Sequence, residues 1–359
     1  MAKRSVIPFG PQHPVLPEPI HLDLVLEDEK VIEAIPSVGF VHRGLEKLIE
    51  KRDFNQYQYV IERTCGICSF MHGMSYCETL EKIFDVDIPD RAKYLRTIWA
   101  EMSRLHSHLL WLGLLADAFG FESLFMQSWR MREKILDMFE ASTGGRVIFS
   151  VNKVGGVLKD MGRDMLNSFI ETFDDMEESI SALSKVFLND VTVSSRLRGV
   201  GVLTREEAIS LGAVGPMMRA SGIDIDTRLL GYEAYKDLDL DPVISTECDS
   251  YARCQVRIGE IFQSFNLIRQ AVAKIPDGEI AVQVKGAPKG EAFNRVEQPR
   301  GEAIYYIKAN GSMYLDRCRV RTPTFTNLQP LIKTLQGCQY ADVPILILTI
   351  DPCISCTER

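Results

Sequence analysis

Residues 95–112 read LRTIWAEMSRLHSHLLWL, and their spacing decides the fold class. Leu95, Ile98, Met102, Leu105, Leu109 and Leu112 recur three and four residues apart, which puts all six on one face of a helix. Phe169, Phe173, Met176, Ile180, Leu183 and Phe187 repeat the pattern, as do Ile258, Ile261, Phe265, Ile268, Val272 and Ile275. A further helix is expected from about Phe70 to Phe84. Long helices with one apolar stripe each pack as a bundle. His106 and His108 sit on the first helix off its stripe and read as structural or surface residues.

Outward from the bundle the period changes from a helix to a strand. Ile20, Leu22, Leu24 and Leu26 alternate with His21, Asp23 and Val25, residues 27–30 are turn-like, and Val31–Ile35 resumes. That predicts a β-hairpin with one buried face. The first twenty residues, rich in proline, read as irregular. Towards the other end, Ala303–Ile307 and Met313–Val320 flank Asn310-Gly311, a hairpin signal. Val343–Ile350 (VPILILTI) is apolar and isoleucine-rich and reads as a buried strand, with Pro344 near its start. The expectation is an α+β architecture, one domain over 1–359. Its parts are a hairpin region at 1–40, a mainly helical part at 65–275 and a β-rich part at 280–359.

The chain is 46% hydrophobic and 25% charged, as soluble globular proteins are, and its length allows a large core without staples. A net charge of −8 with no long basic run argues against nucleic acid as a partner. The longest apolar runs, Leu109–Ala116 and Val343–Ile350, fall well short of the roughly 18 residues a membrane helix needs. The N-terminus has no apolar signal segment, so a cytosolic chain with reduced cysteines is expected.

There are nine cysteines, an odd number. Cys77, Cys248, Cys254, Cys318 and Cys338 are scattered singly. The other four form two Cys-x-x-Cys pairs, Arg63-Thr-Cys65-Gly66-Ile-Cys68 and Asp351-Pro352-Cys353-Ile-Ser-Cys356. Each spacing lets two thiolates converge on one metal. Four thiolates suit zinc, an iron–sulfur cluster or a thiophilic metal such as nickel. A structural four-cysteine zinc site competes with a redox centre. Against it, the pairs lie 288 residues apart, and structural zinc typically rescues a domain with no core of its own.

At these residues the sequence resembles the large, catalytic subunit of nickel–iron hydrogenases, whose paired signature is R-x-C-G-x-C with D-P-C-x-x-C. Further motifs that look like the family's lie at Phe9–Pro14 (FGPQHP), Val41–Glu46 (VHRGLE), Arg63–His72, Gln298–Gly301 and the last nine residues. The GPQHP start and the ending DPCISCTER are similar to the membrane-bound, energy-converting group (Ech-type and carbon-monoxide-linked enzymes). That group is in turn similar to the 49-kDa subunit of respiratory complex I, which lacks the four metal cysteines.

The resemblance implies a nickel–iron centre whose iron carries CO and cyanide, with all four sulfurs on nickel. Cys65 and Cys353 would be terminal ligands, and Cys68 and Cys356 would bridge to iron. A terminal thiolate can accept a proton, so Cys353 counts with Glu46 and Arg300 among the catalytic residues. Glu46 looks like the family's proton-relaying glutamate, and His72 like the histidine that hydrogen-bonds a bridging sulfur. Pro299 and Arg300 would face the iron's anionic ligands, Thr324 would offer a hydroxyl and an N–H to a cyanide, and Asp351 would sit near Arg300.

The reaction implied is the interconversion of two protons and two electrons with H₂. Electrons would come from an iron–sulfur cluster in a small subunit, this chain having no second four-cysteine set, and ultimately from a ferredoxin-type donor. Integral membrane subunits would hold the chain at the cytoplasmic face of the membrane, where the reaction is coupled to ion translocation. One departure is Arg359, which stands where many hydrogenases have a magnesium-binding histidine. The competing expectation is a non-catalytic complex I-like scaffold subunit with a structural zinc.

Overall fold

The structure, a computed structural model, describes residues 4–359. The chain opens with an antiparallel sheet of β1 (Arg4–Phe9), β2 (His21–Glu27) and β3 (Lys30–Ser37). Leu22, Leu24 and Leu26 point into the core and their neighbours do not, as the alternation predicts. Asp28 and Glu29 form the two-residue turn to β3, both at positive φ, the hairpin geometry whose twist suits the strands. The segment expected to be irregular contributes β1. Pro8 is tolerated there because β1 is an edge strand and can lack one N–H.

Next come α1 (Phe54–Ile61), α2 (Ser69–Phe84), α3 (Asp90–Ala118), α4 (Glu122–Thr143), α5 (Arg163–Asn189) and α6 (Ser250–Lys274). The three stripes named from the sequence lie along α3, α5 and α6; most of their residues meet in the main core, and Leu112, Leu183, Phe187 and Ile258 meet in a neighbouring cluster. α2 runs where it was expected. α4 had no reading in the sequence. It carries Met131, Ile135, Met138 and Phe139 into the same core.

α3 is buried almost all round, so its polar residues need partners inside the protein. They find them in an ionic core. Arg219 pairs with Glu260 at 2.7 Å and Glu297 at 2.8 Å, and Arg228 pairs with Asp226 at 2.8 Å and Glu101 at 3.2 Å. His108 Nε2 meets Glu260 at 2.9 Å, and His106 Nδ1 accepts from Arg132 at 2.9 Å. Both histidines are fully buried, so they are structural and not surface residues.

The second sheet is antiparallel, with β4 (Lys289–Gln298), β5 (Gly301–Asn310) and β6 (Leu315–Arg321). β5 and β6 match the predicted hairpin, and β4 was not read from the sequence. Its inner face packs on α1 and α2 through Tyr305, Ile307, Val320, Tyr57 and Tyr76. The chain closes with α7 (Leu328–Leu335), α8 (Val343–Thr349) and the single turn α9 (Ile354–Thr357). α8 corrects the strand expected at Val343–Ile350. Pro344 sits in its first turn, where the missing N–H costs nothing, and the run is apolar throughout because it is buried on every side. α7 and α8 pack under the first sheet, so the two ends of the chain share one core.

Candidate metal centre

Cys65 follows a short 3₁₀ turn, Cys68 caps α2, Cys353 caps α9 and Cys356 lies within it. The two loops meet. Cys353 Sγ lies 3.2 Å from Cys65 Sγ, and Cys68 Sγ lies 3.4 Å from Cys356 Sγ. The sulfurs of Cys65, Cys68 and Cys356 all lie within 4.8 Å of one another. All four side chains are buried. Arg43, which the sequence reading passed over inside its own motif, ties the loops together. It donates to the carbonyls of Arg63 at 2.8 Å, Thr64 at 2.7 Å and Ser355 at 3.2 Å.

The thiols divide their charge unequally. Hydrogen bonds from Cys353, Cys356 and Cys68, with help from Arg300, hold Cys65 well below the usual thiol range. Sharing with Cys353 pushes Cys68 up, and burial pushes Cys356 up. A soft cation bound here would take the sulfurs as thiolates, with release of the protons they carry.

Around the sulfurs stand most of the residues named from the sequence. His72 Nε2 is 3.4 Å from Cys356 Sγ, and burial lowers this histidine to about 4. Thr324 Oγ1 accepts the N–H of Cys353 at 3.0 Å, which leaves its own proton free to donate. Pro299 and Arg300 form the two-residue turn between β4 and β5, seated on Gly215 where no Cβ would fit. From there Arg300 donates to the Asp351 carbonyl at 2.7 Å and to Asp351 Oδ1 at 2.9 Å. Burial opposes the Arg300 charge, but Asp351 and the thiolates outweigh it and raise its pKa well above the usual range. Arg300 Nη1 and Asp351 Oδ2 are buried with no partner among the described residues.

Among the described residues Glu46 makes no hydrogen bond to the four sulfurs. Its carboxylate accepts from the N–H of Val320 at 2.9 Å and pairs with Arg319 and Arg359, each at 3.1 Å. Arg359, the last residue, thus brings a guanidinium to Glu46. The carboxylate at the thiolates is that of Glu18, which the sequence reading missed. Its Oε1 lies 4.0 Å from Cys353 Sγ and accepts from Ser355 Oγ at 2.8 Å, while Oε2 accepts from the N–H groups of Ile354 and Ser355. Burial, and then the charge on Cys65, raise its pKa. One signal was available: Glu18 is the lone acid in an apolar stretch and is locked between Pro17 and Pro19. It lines a cavity of about 470 Å³ together with Gln12, His13 and Leu16.

The donor set fits a soft metal centre with anionic ligands: four buried sulfurs, an arginine nitrogen with nothing to bind, and an acid within reach of one sulfur. Comparison with known proteins agrees on the class. Residues 118–286 and 282–359 match the family described as respiratory-chain NADH dehydrogenase, 49 Kd subunit. Residues 43–117 match the nickel-dependent hydrogenase family. The chain belongs to this joint family of hydrogenase and complex I 49-kDa-type subunits.

It is 37% identical to the membrane-bound hydrogenase subunit alpha of Pyrococcus furiosus, over 98% of this chain and 87% of that protein. It is 38% identical to the carbon monoxide-induced hydrogenase of Rhodospirillum rubrum, over 98% and 99%. It is also 34% identical to an NADH-quinone oxidoreductase subunit of Chloroherpeton thalassium, over 98% and 87%. A chain in the structure of the membrane-bound sulfane sulfur reductase, an archaeal respiratory membrane complex, superposes with a TM-score of 0.95. The two share 29% identity, over 99% of this chain and 98% of that one. No helix among the described residues is long and apolar enough to cross a membrane.

Proposed function

We propose that this chain is the catalytic subunit of a membrane-associated nickel–iron hydrogenase that interconverts two protons and two electrons with H₂. The observation that carries the reading is four buried cysteines meeting beside an arginine with an unpartnered Nη1 and an acid in contact with one sulfur. When bound, the centre supplies the cleavage of dihydrogen and the exchange of electrons. Cys65, Cys68, Cys353 and Cys356 hold it. Arg300, fixed by Asp351, directs its free nitrogen at an anionic ligand, and as a guanidinium it keeps its charge while buried. Thr324 has a hydroxyl proton left for the same purpose.

Glu18 carries the proton. It is close enough to Cys353 to take a proton from that sulfur or return one, and burial holds its pKa above that of an ordinary carboxyl, closer to what proton exchange near neutrality needs. The cavity at Glu18 gives the proton a way out. The partners proposed are a small subunit with an iron–sulfur cluster, a ferredoxin-type donor and integral membrane subunits at the cytoplasmic face. The relatives' assignment to membrane complexes supports the last of these.

The test is metal analysis with infrared spectroscopy on the complex purified without air from its own cells. Nickel, iron and bands of metal-bound CO and cyanide are expected. Zinc without such bands would replace this reading with the second one, a complex I-like scaffold subunit with structural zinc. The match of residues 118–286 and 282–359 to the 49-kDa family supports the complex I-like part of that alternative.

A further inference from the structure

His72 is held from both sides. Its Nε2 faces Cys356 Sγ at 3.4 Å, and its Nδ1 hydrogen-bonds the hydroxyl of Tyr305. Tyr305 is fully buried on the inner face of β5, and its ring meets the imidazole edge-on with centroids 5.9 Å apart. Its hydroxyl makes no other hydrogen bond among the described residues. A buried phenol with a single partner is there for that partner.

A neutral imidazole has one N–H and one lone pair, and what one nitrogen bonds sets the other. Cys356 held by metal as a thiolate has no proton to give, so Nε2 must donate to it. Nδ1 must then accept, and Tyr305 is the donor in place. We propose that Tyr305 is a positioning residue that locks His72 as the Nε2–H tautomer and so keeps an N–H···S bond on Cys356. The inference rests on the four cysteines holding a metal, whichever metal that is. Without the phenol the proton can sit on Nδ1, and a share of molecules loses the bond to sulfur. An N–H on a thiolate draws electron density from it, so the loss leaves the sulfur a stronger donor to the metal.

The probe is cobalt(II) bound to the full-length, metal-free chain. Tyr305→Phe is expected to move the thiolate-to-cobalt charge-transfer band to lower energy and, because the ring and its N–H are no longer held in one arrangement, to weaken cobalt binding about 10-fold, the lower end of what such supporting residues cost. His72→Gln offers an amide N–H that has no tautomer to choose. In that background, adding Tyr305→Phe should leave both the band and the affinity where they were. An unmoved band in Tyr305→Phe alone overturns the proposal. So does an equal effect in both backgrounds, which would mean that the ring acts only by packing. In the native complex, Tyr305→Phe should shift the CO and cyanide bands to lower wavenumber, and bands at their wild-type positions overturn the proposal. A complex with no such bands at all removes the nickel–iron reading and leaves the cobalt result to decide on Tyr305.

Discussion

Arg219 and Arg300 are both buried and both hold a carboxylate within 3 Å, yet their surroundings differ in one respect. Every guanidinium nitrogen of Arg219 has an acceptor: Nε and Nη2 have Glu260, and Nη1 has Glu297 and the Ile225 carbonyl. Arg300 keeps Nη1 unpartnered among the described residues, and its partner Asp351 keeps Oδ2 unpartnered, beside four buried cysteines. An unmet buried donor costs on the order of 1–3 kcal/mol, so a protein that retains one beside a ligand set has a use for it. Arg219 is satisfied by protein alone, whereas Arg300 keeps a donor for something else.

The largest effect expected on that contrast is at the cysteines. Cys65→Ala should abolish both nickel binding and hydrogen turnover, and turnover with bound nickel would defeat the ligand assignment. Next is the acid. Glu18→Gln should lower hydrogen turnover by roughly 10²–10⁴ while leaving the infrared bands in place, the loss typical of a missing proton carrier. Glu46→Gln, measured alongside, should be far milder. A larger loss at Glu46 than at Glu18 would restore the role the resemblance gave it.

Stability should sort the two arginines. Arg219→Leu strands buried carboxylates, so urea unfolding of the metal-free chain should show a loss of about 3–5 kcal/mol. Arg300→Leu should cost less in the same experiment, because part of its hydrogen-bonding capacity has no protein partner. Equal losses would make the two regions alike.

The smallest effect concerns Glu62, near the first cysteine pair. Burial lifts it from 4.5 to about 7, against the pull of its hydrogen bonds from Ser150. Between those two values the unfolded chain has released this proton and the folded chain has not. The native state therefore loses stability as pH rises from about 4.5 to about 7. Glu62→Gln should flatten that slope and gain at most about 3 kcal/mol above it, read from unfolding midpoints across pH.

The helix stripes were legible because they are long and periodic, and the cysteine pairs because their spacing is chemistry in itself. VPILILTI was misread because a short apolar run buried on all sides carries no period, so Pro344 was the better guide than the isoleucines. α4 was missed although it supplies Ile135 and Phe139 to the core. Glu18 was missed for a different reason: its position beside Cys353 arises only when the segment after β1 folds over α9, and nothing local in the sequence records that contact. Glu46 illustrates the converse, a residue chosen by resemblance whose neighbours in space are arginines brought by β6 and the last residue.

The 288 residues between partnered sulfurs carry a consequence for how this protein comes into being. Neither Cys-x-x-Cys loop can form the site alone, so no competent pocket exists on the nascent chain until the second pair has been synthesised. Closing so long a loop is slow. An ion held by all four sulfurs can therefore be bound only after the chain's last residues have been made and carried back to α2.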